Sequence, residues 1–218
     1  RVNGYVPQMR YSAEVITDGP TEISFGTPAN LSTTNVVAAL AVATGGATIA
    51  AASILITTLD ATYGRILRVT CDNVAITGYA WTITGRDFWG QKMVETITPT
   101  QNTTVSGLKA FKYIDSIVYA SGPGAATLSV GSGNLMGLPY KVNHCLGEIA
   151  DGVPAAAGSV TAPVLTDPQT ATTGDPRGKY TPTTTPDGSK ELRGIFLFND
   201  WMNASSNGGL MGIRHFGG

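Results

Sequence analysis

Between residues 65 and 139 the chain runs as short apolar segments of period two separated by turn residues, a pattern that leaves little room for helix. The segments are residues 65–71, 79–84, 92–98, 109–120 and 127–130. In the second, Tyr79, Trp81 and Ile83 share one face, while Ala80, Thr82 and Thr84 share the other. Such alternation fits a sheet buried on one side and wet on the other. Residues 85–91 read as a hairpin turn, with Asp87 bonding its own backbone and Gly90 supplying positive φ. A second hairpin is predicted at residues 121–124, joining the 109–120 strand to the 127–130 strand. Five strands at this spacing with no helix between them predict an all-β fold, an antiparallel sandwich or jelly-roll-like domain.

The flanks read differently. Residues 13–17 and 21–25 are short β-like pieces joined by Asp18-Gly19-Pro20, and residues 2–10 read as an arm. Residues 35–59 carry no charge, but Ala and Thr dominate and Gly45-Gly46 splits them, which argues against a membrane span. The first half, residues 36–43, fits a short helix or a strand; the second, 49–59, fits a strand because Ile54, Ile56, Thr57 and Thr58 are β-branched. Residues 146–190 are a long Thr/Pro/Gly-rich stretch without period, expected to lie extended and irregular and to be ordered by partners. Residues 192–201 return as a strand. The chain thus divides into an N-terminal arm with short strands at 1–30, a β-sandwich core at 31–145, the irregular segment at 146–190, and a returning strand with tail at 191–218.

Charged residues make up 13% of the chain and the net charge is −1, against about 25% charged in ordinary domains. No nucleic-acid or membrane partner is expected from this balance. Uncharged β surfaces are instead cheap to desolvate, which suits faces covered by neighbours. Cys71 and Cys145 are too few for a disulfide scaffold, and Cys71 reads as a small buried residue. The opening Arg1-Val2-Asn3-Gly4-Tyr5 has no apolar signal segment, consistent with assembly in a cytoplasm.

Catalytic and metal readings are weak, and no catalytic residue, cofactor or metal is expected. His144 and Cys145 are adjacent and so face opposite ways on a strand, with His215 far along the chain. Asp87 and Glu95 flank a turn in the manner of a glycosidase pair, but the turn accounts for Asp87, and Glu95 is expected to point outward beside Lys92 or Arg86. The glycines around 122–124 and 131–133 open no helix and so form no phosphate cradle. Trp81 is expected in the core. Phe88 and Trp89 at the hairpin tip are candidate interface residues, as are Leu210, Met211, Ile213 and Phe216 in the Gly-rich tail.

A group of short motifs also carries a resemblance. Gly64-Arg65, Gly85, Asp87 and Gly90 of the turn, Glu95-Thr96, and Thr103-Thr104-Val105 occur in order. They are followed by Gly107, Lys109-Ala110-Phe111-Lys112, Val130-Gly131 and Leu135 to Pro139, with Asp175-Pro176-Arg177-Gly178, Tyr180 and Asp187-Gly188-Ser189-Lys190 further on. Together they resemble the small β-rich head-decoration, or cement, proteins of tailed bacteriophages, over about the central third of the chain and this later piece. The resemblance implies a non-enzymatic virion protein on the outer capsid surface, assembled in the host cytoplasm and bound to the major capsid protein. It also implies self-association, for which a trimer is favoured with a two-fold dimer as the alternative. The alternative function is a tail or spike β domain that binds host carbohydrate.

Overall fold

A computed structural model describes residues 20–42, 45–72, 80–100, 102–120 and 126–198. The strands in chain order are β1 (Pro20–Gly26), β2 (Val37–Val42), β3 (Ala47–Thr48), β4 (Arg65–Cys71), β5 (Trp81–Arg86), β6 (Lys92–Ile97) and β7 (Thr104–Phe111). They continue with β8 (Tyr113–Tyr119), β9 (Ala126–Gly137), β10 (Val142–Ala150), β11 (Val153–Ala155), β12 (Ser159–Thr161), β13 (Lys179–Thr181) and β14 (Leu192–Phe198). A 3-10 turn at Ala51–Ser53 is the one helical element among the described residues. The fold is all-β and sandwich-like, as the alternation predicts.

Every pairing between these strands is antiparallel, in three sheets. The first sheet runs β1-β14-β10-β11, the second β12-β13-β9-β4-β7 with β2 also on β9, and the third β3-β8-β5-β6. Between the second and third sheets lies one apolar cluster: Leu67, Val69, Cys71, Leu128 and Val130 face Trp81, Ile83, Met93, Ile97, Ile117 and Tyr119. A second cluster joins the first sheet to the far end of the second through Phe25, Cys145, Leu192 and Phe196 against Met136, Leu138 and Tyr180. Strand β9 contributes to both. Its first half pairs with β2, its second half with β13, and β4 lies along its other edge.

The structure corrects several local expectations. Residues 109–120 are not one strand: the chain turns at Lys112, so that β7 belongs to the second sheet and β8 to the third. Lys112 holds this corner, its amide donating to Arg86 O (2.8 Å) and its Nζ to Leu59 O (2.7 Å) and Ala61 O (3.0 Å). No hairpin joins β8 to β9, because β8 pairs with β5 and β3 while β9 pairs in the other sheet. Within the first half, Val37–Val42 take the strand alternative, as β2. Residues 49–59 form the 3-10 turn and a single bridge from Thr58 to Tyr113 rather than a strand. Ile54 and Ile56 pack against the core without a ladder, so their branched side chains are satisfied by burial alone.

Residues 146–190 depart furthest from expectation. They finish β10, supply β11, β12 and β13, and place Tyr180 at 0% exposure between Phe25 and Phe196. This burial comes from their own chain. The expectation failed because it weighed apolar residues only, and the buried groups here include Asp175, Arg177 and Lys179. Residues 21–25 lie in β1, paired with the returning strand β14. Residues 2–10 and 13–17, and the tail from 203, lie outside the described residues. No helix among the described residues is long and apolar enough to cross a membrane.

Trp81 has no exposed surface and stacks on Tyr119 at 5.5 Å between ring centroids. Trp81→Ala should therefore cost about 3–5 kcal/mol in urea unfolding. An unfolding curve superimposable on the parent would contradict its place in the core.

Candidate functional site

The charged side chains that a neutral chain can least conceal are found at the seam between the second and third sheets. In β6 the buried positions are Met93, Glu95 and Ile97, so Glu95 points inward and is 2% exposed. This overturns the expectation of an outward cross-strand pair. The Glu95 carboxylate accepts the amides of Leu108 and, at 3.3 Å, Lys109, both on the edge of β7 that β4 leaves free. Gly107 makes room for it, since a Cβ there would lie 2.6 Å from Glu95 Oε2.

Residues 164–178 form a strap that completes the seam. Val94 and Thr96 of β6 donate their amides to Pro168 O (3.1 Å) and Ala171 O (2.8 Å), which covers an otherwise bare strand edge. Lys109 Nζ donates to Val94 O and Thr170 O, both at 2.7 Å, tying strand to strap. Asp175 accepts the Ala110 amide of β7 at 2.9 Å, and its own turn is closed by the Arg177 amide at 2.9 Å. Arg177 then reaches Asp87 in a buried ion pair.

Asp87 thus has two duties. It caps the β5–β6 turn as expected, accepting the Gln91 amide at 2.9 Å with Gly90 at φ 82°, and it anchors the strap. Sequence reading found the first and missed the second. Away from the seam, Arg65 is buried and bonded to Asp60, Ala29 O and Gly133 O, and Glu148 accepts Tyr180 Oη at 2.5 Å and the amides of Thr183 and Thr184.

Burial pushes the Glu95 carboxyl up to about 7, against the pull of the two β7 amides and of Lys109 and Lys179. Burial likewise raises Asp175, despite Arg177 and two backbone amides, and lowers Lys109 and Lys179. Opposed charges and dipoles therefore offset desolvation only in part. The arrangement is a polar clamp: most of its groups are engaged with one another or with main chain, while Nε and Nη2 of Arg177 are buried without a hydrogen-bond partner.

Of the candidate interface residues, Phe88 and Trp89 sit on the β5–β6 turn. Phe88 packs edge-on to Tyr63 at 4.8 Å and to Trp89 at 5.0 Å. Trp89 is 48% exposed, yet its Nε1 donates to Pro139 O at 3.0 Å and its ring lies near Tyr140. The turn aromatics are fixed locally and still show a half-open indole. Leu210, Met211, Ile213 and Phe216, with His215, lie outside the described residues. His144 is exposed while Cys145 is buried, in separate environments despite adjacency, and Cys145 lies in a different cluster from Cys71. Comparison with family models, with curated proteins and with solved structures finds no match.

Two expectations follow for the clamp. Arg177→Leu strands the Asp87 carboxylate in the interior and should cost about 3–5 kcal/mol by chemical denaturation. Because Glu95 holds its proton more tightly folded than unfolded, its contribution is complete below the unfolded value of 4.5 and is lost as pH rises through about 7. That contribution is of order 3 kcal/mol. Unfolding free energies across this range should show Glu95→Gln with a flatter dependence on pH than the parent; equal slopes would contradict the assignment.

Proposed function

We propose that this chain is a structural protein of a phage particle, a decoration subunit that binds the major capsid protein on the outside of the head. The reading rests on one observation. The chain has 14 Lys and Arg and 15 Asp and Glu, and among the described residues eight of these are buried. They are Arg65, Asp87, Glu95, Lys109, Glu148, Asp175, Arg177 and Lys179, and most bind segments of this chain to one another.

Turning these charges inward lowers further the charge that an already sparsely charged chain presents outside. The outer positions of the strands carry hydroxyls that bond across the ladder, Thr70 with Thr104 at 2.8 Å and Thr82 with Thr96 at 3.2 Å. Leu55 (57% exposed) and Val153 (65% exposed) stand among the exposed apolar groups. A surface of this kind loses little on desolvation, and main-chain and apolar contacts can carry its association. The motifs that resemble cement proteins support the same reading. Self-association as a trimer, with a dimer as the alternative, belongs to it.

The test is re-addition of purified chain to heads assembled without it, followed by electron microscopy of the particle. Ordered density at repeating positions on the outer shell is the expected result, with occupancy falling little between low and moderate salt. Density confined to the tail, or steep loss with salt, would overturn the proposal.

A further inference from the structure

A cleft of about 460 Å³ opens at one end of the third sheet, lined by Thr57, Thr58, Arg86, Tyr113, Ile114 and Asp115. Its frame is main chain. Tyr113 of β8 stands opposite Arg86 of β5 on one side and forms the bridge to Thr58 on the other. The amide of Ile114 donates to Thr57 O at 2.8 Å. The three residues Thr58, Tyr113 and Arg86 therefore make one cross-strand row with the ring in the middle.

A register shift in β8 builds the rest. Thr84 pairs with Ser116 and Gly85 with Ile114, which leaves Asp115 as an extra residue between them. The bulge lets Ile114 and Ile117 both stay buried while Tyr113 and Asp115 stay exposed. Bulges of this sort re-aim side chains and recur beside functional sites. Here it brings Asp115 Oδ2 to 3.0 Å from Arg86 Nε, beside the Tyr113 ring.

From this geometry we propose that the cleft is a binding site for a neutral saccharide. The ring of Tyr113, 39% exposed, offers a flat apolar face for the C–H side of a sugar. Arg86 and Asp115 offer donors and acceptors side by side, a match for neighbouring hydroxyls, and the exposed hydroxyls of Thr57 and Thr58 extend the polar rim. The ion pair fixes the charge preference: Arg86 is already neutralised by Asp115, so an anionic ligand gains little. A single ring and a single compensated cation also fit a nucleic-acid strand poorly. The cleft volume falls in the range of small-ligand sites, about 300–1,000 Å³. This inference does not depend on where in a particle the chain sits.

The experiment is an array of neutral mono- and oligosaccharides printed beside sialylated and sulfated ones, probed with the whole chain and followed by calorimetric titration of the best neutral ligand. The parent should retain at least one neutral glycan, and retention should be insensitive to salt. Tyr113→Ala and Asp115→Ala, both at exposed positions, should each weaken it about tenfold, while Tyr113→Phe keeps the ring and should stay within about twofold. Melting curves matching the parent establish that the variants are folded. No retained neutral glycan, binding confined to anionic glycans, or equal binding by Tyr113→Ala would overturn the proposal.

Discussion

A buried amide without an acceptor costs roughly 1–3 kcal/mol, and β7 has three that its one ladder partner does not reach. Leu108 and Lys109 donate to Glu95, and Ala110 donates to Asp175. Two carboxylates from elsewhere in the chain thus take the place of a missing strand. The rest of the seam follows from that substitution. Carboxylates brought inside require cations nearby, which Lys109, Lys179 and Arg177 provide. Lys109 in turn requires acceptors, and the carbonyls of Val94 and Thr170 supply them. The strap is held because the sheet edge needs it.

This explains how a segment poor in large apolar residues is ordered at all. Conformational entropy opposes its fixation at about 1–2 kcal/mol per residue, and hydrophobic burial within it is limited. Satisfied buried polar groups supply part of the balance, since each is more expensive to break than to form. Tyr180 supplies an apolar anchor at the far end, stacked on Phe25 at 5.1 Å.

Much of the sheet framework was legible in the sequence, because alternation is a local signal. Residues 65–71 are β4 as read, and Trp81 and Ile83 share the buried face. Glu95 was legible too: it is in phase with Met93 and Ile97, and the period alone placed it inward. Chemical habit, which sends carboxylates to the surface, outweighed that signal wrongly. The pairing of Asp87 with Arg177 was not legible, since 90 residues separate them and the turn signature at Asp87 says nothing of a distant partner. Turn chemistry at residues 121–124 announced a reversal but not the sheet to which the next strand goes. The bulge at Asp115 was likewise hidden, because residues 109–120 read as unbroken β.

Strand β9 has twelve residues and so runs roughly 40 Å. It is shared by both apolar clusters and paired along its length with β4. A pull directed along the axis of β9 would load both clusters and shear the β4–β9 ladder rather than peel it open. In shear the hydrogen bonds of a ladder are strained together, whereas peeling breaks them one after another. A tensile pull along this strand is thus resisted over most of the strand's length.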